Sequence, residues 1–116
     1  MFSGCVVTLM VDHFDAAIRF YVETLGFELL GRYGDHFAEV SVPGFTLGLH
    51  LAEHPLGPAG NRFSLGFGVT DFDQTVSTLR DRGVAFDSEV QDEGNLRIAN
   101  FHDPEGNLLY LAASGG

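Results

Sequence analysis

This chain of 116 residues has no lysine and no tryptophan, and it has only one cysteine. The single cysteine, Cys5, excludes an intrachain disulfide and favours a reducing compartment, so we expect a cytoplasmic location. Its place in an apolar run indicates a small buried side chain rather than a reactive thiol. Long apolar runs are also missing: the longest uncharged stretch, Val40 to Ala52, falls short of the ~20 residues that a membrane-spanning helix needs. We therefore expect no membrane segment, and the basic start of a signal peptide is absent.

Positive charge is scarce as well. Sixteen acidic residues face six arginines, which gives a formal net charge of -10. Divided after residue 58, the first half carries 7 acids and 2 arginines and the second 9 and 4, so each half is at -5. A field of this sign repels phosphate backbones, and we expect no nucleic-acid partner. It favours a cationic ligand, although solubility of a rather apolar protein is the simpler explanation.

What the sequence does contain is a repeat. Residues 11–15, Val-Asp-His-Phe-Asp, are echoed by residues 69–73, Val-Thr-Asp-Phe-Asp, at an offset of 58 in a chain of 116. Each copy ends a β-rich apolar run and opens a helix-like segment, and each helix stops at a glycine, Gly26 or Gly83. A repeat of this length indicates one supersecondary unit used twice.

The first half reads as a β-α-β-β-β unit. An apolar run from Cys5 to Val11 predicts a buried strand, and Asp12 or Asp15 can cap a helix that runs through Leu25. The helix has an apolar stripe at i, i+3, i+4 spacing. Three strands follow, at residues 27–32, 37–42 and 45–51, with residues 33–36 as the hairpin loop between the first two.

The second half repeats this order after a linker. Pro55, Gly57, Pro58 and Gly60 mark residues 55–61 as the linker. We predict strands at 62–69, 84–90, 96–102 and 107–113 and a helix at 72–82, with Gly106 in the left-handed turn before the last strand. The chain is thus predicted as one domain, residues 1–116, made of module 1–54 and module 62–116.

The motifs resemble a known family. Residues 17–27, Ala-Ile-Arg-Phe-Tyr-Val-Glu-Thr-Leu-Gly-Phe, together with the preceding repeat motif, resemble the opening module of the vicinal oxygen chelate superfamily. That group includes glyoxalase I, extradiol dioxygenases, fosfomycin-resistance enzymes and bleomycin-resistance proteins. Residues 103–109, Asp-Pro-Glu-Gly-Asn-Leu-Leu, resemble its closing signature. The resemblance implies an α+β fold in which two tandem β-α-β-β-β modules form a curled, eight-stranded mixed sheet, a cup with the helices outside.

Metal-dependent members of that family hold their ion on the first and fourth strands of each module. The resemblance puts these positions at Val6, Ser64 and Tyr110, and at Gly48, or at His50 if the strand slips by two residues. Valine and glycine offer no side-chain donor, and one imidazole cannot hold a divalent ion competitively. We therefore expect neither a metal nor another cofactor, and no catalytic residue is assigned.

Strand alternation predicts instead an apolar lining with a few polar groups, suited to a small organic ligand that is cationic or aromatic. Our leading hypothesis is a metal-free protein that binds and sequesters a small molecule, similar to the bleomycin-resistance type, and forms a homodimer. Alternatives are a metal-dependent glyoxalase-like or dioxygenase-like enzyme with displaced ligands, drawing on Glu39, His50 or His102, and an accessory or sensor protein without a small-molecule site. The predicted ligand-binding residues are Thr8, Met10, Glu39, His50, Ser64, Gly66 and Tyr110.

Overall fold

The computed structural model describes residue 1 and residues 6–52, 64–87, 91–93 and 96–114. The chain forms two compact units, Met1–Pro58 and Ala59–Gly116. The boundary falls within the predicted linker 55–61, which lies outside the described residues, as do Cys5 and His54. That the two units make one domain stays a prediction. No helix in the described ranges is long and apolar enough to cross a membrane.

The first unit is a four-stranded sheet, sheet 1, with one helix. Its strands are β1 (Val6–Val11), β2 (Glu28–Tyr33), β3 (Phe37–Val42) and β4 (Phe45–Leu51), in the order β1-β4-β3-β2. The β1 and β4 strands are parallel, and the other pairs are antiparallel. The helix α1 spans Phe14–Arg19 and continues as a π-helical turn over Phe20–Thr24, where the Leu25 amide donates to the Phe20 carbonyl at 2.9 Å.

The second unit has the same topology. Sheet 2 comprises β5 (Ser64–Gly68), β6 (Gln91–Glu93), β7 (Leu96–His102) and β8 (Leu108–Ser114) in the order β5-β8-β7-β6, with β5 and β8 parallel, and α2 spans Phe72–Asp81. The α+β class is therefore confirmed, and each unit has the element order β-α-β-β-β. The described residues form two four-stranded sheets, so a single eight-stranded sheet stays a prediction.

Each helix packs on one face of its own sheet, and the alternation of strand residues decides which side chains are buried there. In β3 the buried side chains alternate with half-buried ones, in β4 residues 47–49 are all buried, and α1 lies against β4. The same holds for α2 and β8. The buried apolar residues are Val11, Phe14, Ala17, Ile18, Tyr21, Ala38, Val40, Val42, Leu47 and Leu49 in the first unit, and Phe72, Val76, Leu79, Val84, Ala99, Phe101, Leu109 and Leu111 in the second.

Two sequence predictions about these elements are wrong. The first helix is capped neither by Asp12 nor by Asp15, because its N-cap is His13, whose side chain makes no capping hydrogen bond. The strand predicted at 84–90 is displaced: in its described part only an isolated bridge forms, Phe86 to Phe101, and the edge strand is β6. After α2 the chain first places Val84 in the core, where it is 8% exposed. It therefore pairs with the sheet only from Phe86.

The glycine predictions hold. Gly26 and Gly83, which follow the two helices, have φ of 83° and 95°, and Gly106 before the last strand has φ of 85°. These are left-handed conformations that side chains with a Cβ rarely adopt.

Candidate functional site

The candidate site begins with the face of sheet 1 that lies opposite α1, called the open face of sheet 1. Because neighbouring residues of a strand point to opposite faces, the buried Leu47 and Leu49 place their neighbours Gly48 and His50 on this open face. In β1 the same parity exposes Val6 and Met10, at 53% and 44% of their full accessibility. The predicted parity of these strands is confirmed.

Four open-face residues stand in register across all four strands of sheet 1. Met10 pairs with His50, His50 with Phe37, and Phe37 with Tyr33. The rings are in contact, with 5.8 Å between the centroids of Tyr33 and Phe37 in a stacked arrangement and 6.0 Å between those of Phe37 and His50. The four residues Met10, His50, Phe37 and Tyr33 are called the aromatic row. With strands ~4.8 Å apart, the row spans about 14 Å.

The next row holds the acidic group of the face. Glu39 pairs with Gly48 on one side and Gly31 on the other, and Gly48 pairs with Thr8. The Tyr33 hydroxyl donates to the Glu39 carboxylate at 3.4 Å. This bond is long for an O–H···O contact, whose usual length is ~2.7–2.8 Å, so a better donor can replace it.

Because Gly31 and Gly48 have no side chain, neighbouring side chains can lie over them. A Cβ added to Gly31 would come within 2.9 Å of the Tyr33 hydroxyl, and one added to Gly48 within 2.8 Å of Thr8 Oγ1 and 3.3 Å of Phe37 Cε1. The rings of Tyr33 and Phe37 therefore lean over the glycines and flank Glu39. A carboxylate beside aromatic faces is an arrangement that attracts organic cations.

His50 is set in one tautomer by its own backbone. Its Nδ1 lies 2.8 Å from the Leu51 carbonyl oxygen. A carbonyl oxygen only accepts, so Nδ1 carries the proton and Nε2 of the neutral ring presents a lone pair. His50 can thus accept a hydrogen bond within the aromatic row.

The open face of sheet 2, opposite α2, carries the remaining predicted residues. In β5 the exposed Ser64, Gly66 and Gly68 alternate with half-buried Leu65 and Phe67. Gly66 pairs with Tyr110, and the Tyr110 ring lies directly over Gly66, so that a Cβ there would overlap the ring. The Tyr110 ring thus covers the β5–β8 strand pair on this face. Its predicted role in ligand binding stays a prediction.

The pairing register decides between the two positions that the sequence left open in the first module. Tyr110 pairs with Gly66, and the residue 58 positions before Gly66 is Thr8, which pairs with Gly48. Gly48 is therefore the counterpart of Tyr110, without the two-residue slip that would have assigned His50.

These positions do not fit the metal site that the family resemblance implies. Val6 and Gly48 have no donor atom, Ser64 offers a neutral hydroxyl, and the Tyr110 phenol lies over Gly66. Among the described residues, no group of three or more histidine, cysteine, aspartate or glutamate side chains is arranged to hold an ion. The donor atoms at the four implied positions are therefore too few and too weak to bind a divalent ion.

Two groups were missed by reasoning from the sequence. Tyr33 was predicted in a hairpin loop and Phe37 was not assigned to the site, yet both rings form the aromatic row. The β2–β3 pairing has a register shift between Leu29 and Gly31, which moves the strand by one residue and brings Tyr33 onto the open face. The second is Asp87: the sequence named His102 for the alternative enzyme but not its partner, and the His102 Nδ1 and Asp87 Oδ1 atoms are 3.0 Å apart on the open face of sheet 2.

Solved structures with the same fold include an antibiotic binding protein. TnmS3, an antibiotic binding protein from Streptomyces sp. CB03234, is 29% identical, with a TM-score of 0.75 and coverage of 98% of this chain and 97% of that one. TioX from Micromonospora sp. ML1 is 25% identical, with a TM-score of 0.79 over 97% of this chain and 98% of that one. The likeness to both proteins extends over nearly the whole length of this chain.

Sequence comparison gives the family. A protein of Mycolicibacterium smegmatis is 32% identical over 90% of this chain and 87% of its own length. The protein YurT of Bacillus subtilis is 31% identical over 91% of this chain and 94% of its own length. The sequence model of the Glyoxalase/Bleomycin resistance protein/Dioxygenase superfamily matches residues 6–111. The chain belongs to this superfamily.

Proposed function

We propose that this protein is a metal-free binder of small organic molecules that are cationic and aromatic, similar to the bleomycin-resistance type, and that it acts by sequestering its ligand. The observation that carries the proposal is the open face of sheet 1, where the aromatic row runs beside the Glu39 carboxylate. Likeness to an antibiotic binding protein at 29% identity supports it.

Two interactions on this face favour a cationic ligand. A cation over an aromatic face gains about 0.5–2 kcal/mol, more when it is shielded from water. A carboxylate ~4 Å from the cation adds about 1 kcal/mol in water and about 4 at an effective dielectric constant of 20. Glu39 is half-buried, so its contribution lies between these limits. An organic ammonium group is also a stronger partner for the Glu39 carboxylate than the Tyr33 hydroxyl, because it adds a full positive charge to its N–H donors.

The predicted residues share this role unequally. Met10 and His50 extend the aromatic row, Glu39 binds the positive group, and Thr8 borders the glycine row. Ser64, Gly66 and Tyr110 lie on the open face of sheet 2, and we include them as ligand contacts. The proposal also covers the single eight-stranded cup, a homodimer and a cytoplasmic location.

Two three-ring probes of opposite charge test the proposal: proflavine, a planar cation, and anthracene-9-carboxylate, a planar anion. Fluorescence titration at physiological salt, which limits long-range attraction to ~8 Å, should give at least tenfold tighter binding of proflavine. Glu39→Gln keeps the shape of the side chain but removes its charge, and should weaken proflavine binding by about tenfold, the equivalent of 1.4 kcal/mol.

The matched control is Glu23→Gln, which removes the same charge from a position on the π-helical turn, away from the open face. Equal losses in both variants would show that only the net charge of -10 attracts the cation, and would overturn the proposed site. Elemental analysis of protein purified without chelator should find no stoichiometric transition metal. About one ion per chain would replace this proposal with the metal-dependent enzyme.

A further inference from the structure

The pair of Asp87 and His102 lies outside the open face of sheet 1 and is held in place by its own set of contacts. Phe86 forms a backbone bridge with Phe101, and their rings are 5.4 Å apart. The Arg80 guanidinium lies 5.5 Å above the Phe86 ring. The Asp87 amide donates to the Asn100 carbonyl at 2.8 Å. The backbone that carries the Asp87 carboxylate is therefore anchored to β7.

This carboxylate orients the imidazole of His102. Nδ1 of His102 lies 3.0 Å from Asp87 Oδ1, and an ionised carboxylate only accepts, so Nδ1 carries the proton. In the neutral ring, Nε2 is left with its lone pair. The two side chains are 38% and 37% exposed, so the pair is open to a small molecule and still partly shielded from water.

A comparison with His50 shows what the carboxylate adds. Both histidines direct Nδ1–H to an oxygen, but His50 uses the neutral carbonyl of Leu51. Asp87 instead presents an ionised oxygen, so an imidazolium formed by proton transfer to Nε2 would still donate its Nδ1–H to an anion. Of the two, His102 is thus the one equipped to take a proton as well as a hydrogen bond.

The residues beside His102 can hold the ring of a ligand next to its imidazole. His102 pairs with Leu108, and Leu108 with Ser64, so an apolar side chain lies between the imidazole and a hydroxyl. The adjacent row is Asn100, Tyr110 and Gly66. A flat ligand lying on Leu108 would direct a hydroxyl substituent toward Nε2.

We infer that the Asp87–His102 pair is a proton-accepting site for an acidic hydroxyl group, a phenol or an enol, of a small molecule on the open face of sheet 2. The O–H bond of the ligand breaks, its proton goes to Nε2, and the electron pair stays on the ligand oxygen. The products are a phenolate or enolate and an imidazolium, whose positive charge lies between that anion and the Asp87 carboxylate. This site does not depend on the Tyr33–Glu39 arrangement.

The test uses 4-nitrophenol, because its phenolate absorbs visible light and the phenol does not. At a pH where the free phenol is mostly protonated, the protein should raise the phenolate absorbance above that given by free imidazole at five times the protein concentration, matching the five histidines per chain. His102→Gln should lose this excess. Asp87→Asn, which keeps the shape and removes the charge, should lose most of it, and His13→Gln, which removes an exposed imidazole at the start of α1, should keep it.

A second measurement reports on the pair without any ligand. Nitrogen NMR of histidine-labelled protein should show neutral His102 as one tautomer, with the proton on Nδ1, and Asp87→Asn should give a mixture. The inference is overturned if the wild type gives no excess phenolate, if His102→Gln retains it, or if Asp87→Asn matches the wild type in both measurements. Circular dichroism on each variant separates these results from loss of fold.

Discussion

The two units have the same strand order and the same parallel strand pair, but they cover the open face of that pair in opposite ways. In sheet 1 the first strand supplies Thr8 and the last supplies Gly48, whereas in sheet 2 the first supplies Gly66 and the last supplies Tyr110. In both, a side chain lies over the glycine opposite it. The difference shows that the repeat requires one small residue at this pair and leaves open which strand supplies it.

The turn into the last strand is longer in the second unit, where it comprises residues 103–107, than in the first, where it comprises residues 43–44, and it gives the largest expected effect. Asp103, 5% exposed, accepts hydrogen bonds from the Glu105 amide at 3.0 Å, the Asn107 amide at 2.8 Å and the Asn107 side chain at 2.9 Å. Asp103→Ala leaves these donors without their acceptor, and since a bond to a charged group contributes ~1.5–3 kcal/mol, we expect a loss of about 3 kcal/mol in the free energy of unfolding.

Urea denaturation measures this loss. The control is Asp35→Ala in the first unit, a turn carboxylate whose side chain is 97% exposed although it lies 3.2 Å from Arg32. Exposed ion pairs contribute ~0–1 kcal/mol, so this variant should be near the wild type. A small loss for Asp103→Ala would mean that the longer turn of the second unit holds without its carboxylate.

The covered glycine of sheet 2 gives the next largest effect. Gly66→Ala forces the Tyr110 ring to move, and such overpacking costs ~1–3 kcal/mol. Gly68→Ala is the matched control, because Gly68 is two residues along the same face and a Cβ there meets no atom within 4 Å. Adding Tyr110→Ala to Gly66→Ala should recover part of the loss. Thermal or urea denaturation of the wild type, Gly66→Ala, Tyr110→Ala and the double variant measures this recovery as a coupling energy. Equal losses at Gly66 and Gly68 would exclude the Tyr110 contact as the cause.

A substitution at Tyr110 tests whether the ring that sheet 2 has in place of Gly48 contacts a ligand. If the ring contacts ligand, Tyr110→Ala should weaken binding by at least tenfold, because ring stacking contributes ~0.5–1.5 kcal/mol beyond area burial. The fold should survive, since Leu109 and Leu111 stay buried on the helix side. Affinity for a ligand that co-purifies with the protein, together with the thermal midpoint, decides the matter. A large loss of stability with unchanged affinity would assign Tyr110 to packing alone.

The smallest expected effect is at the starts of the two helices. Asp71 caps α2, with its carboxylate accepting from the Gln74 amide at 3.1 Å, at backbone angles of φ -121° and ψ 92°. His13 is the N-cap of α1 at nearly the same angles, φ -116° and ψ 81°, but its side chain makes no capping hydrogen bond. His13→Asp should therefore stabilise the protein by about 1 kcal/mol, and Asp71→Ala should destabilise it by a similar amount. Thermal denaturation at neutral pH checks both, and no gain in His13→Asp would mean that the first helix start is set by packing.

Much of the fold was accessible from local patterns. The strands at 37–42, 45–51 and 96–102 were predicted with their observed bounds, because apolar runs and alternation report directly on burial. The parity of β1 and β5 followed from the same alternation, which put Thr8, Met10, Ser64 and Gly66 on the open faces. Capping failed at α1 because two acidic residues flank His13, and local sequence does not say which residue leaves the helical backbone.

The sequence by itself determined the repeat, the strand and helix order, and the three glycines with positive φ that end the helices and precede the last strand, since these depend on neighbours in the chain. Tertiary structure alone decided which further side chains meet on the open faces. A bulge between Leu29 and Gly31 brought Tyr33 into the aromatic row, because a shift of one residue reverses the face of a strand. Asp87 and His102, 15 residues apart, meet only because the segment after α2 pairs with β7. Contacts of this kind depend on pairing register, which local sequence does not specify.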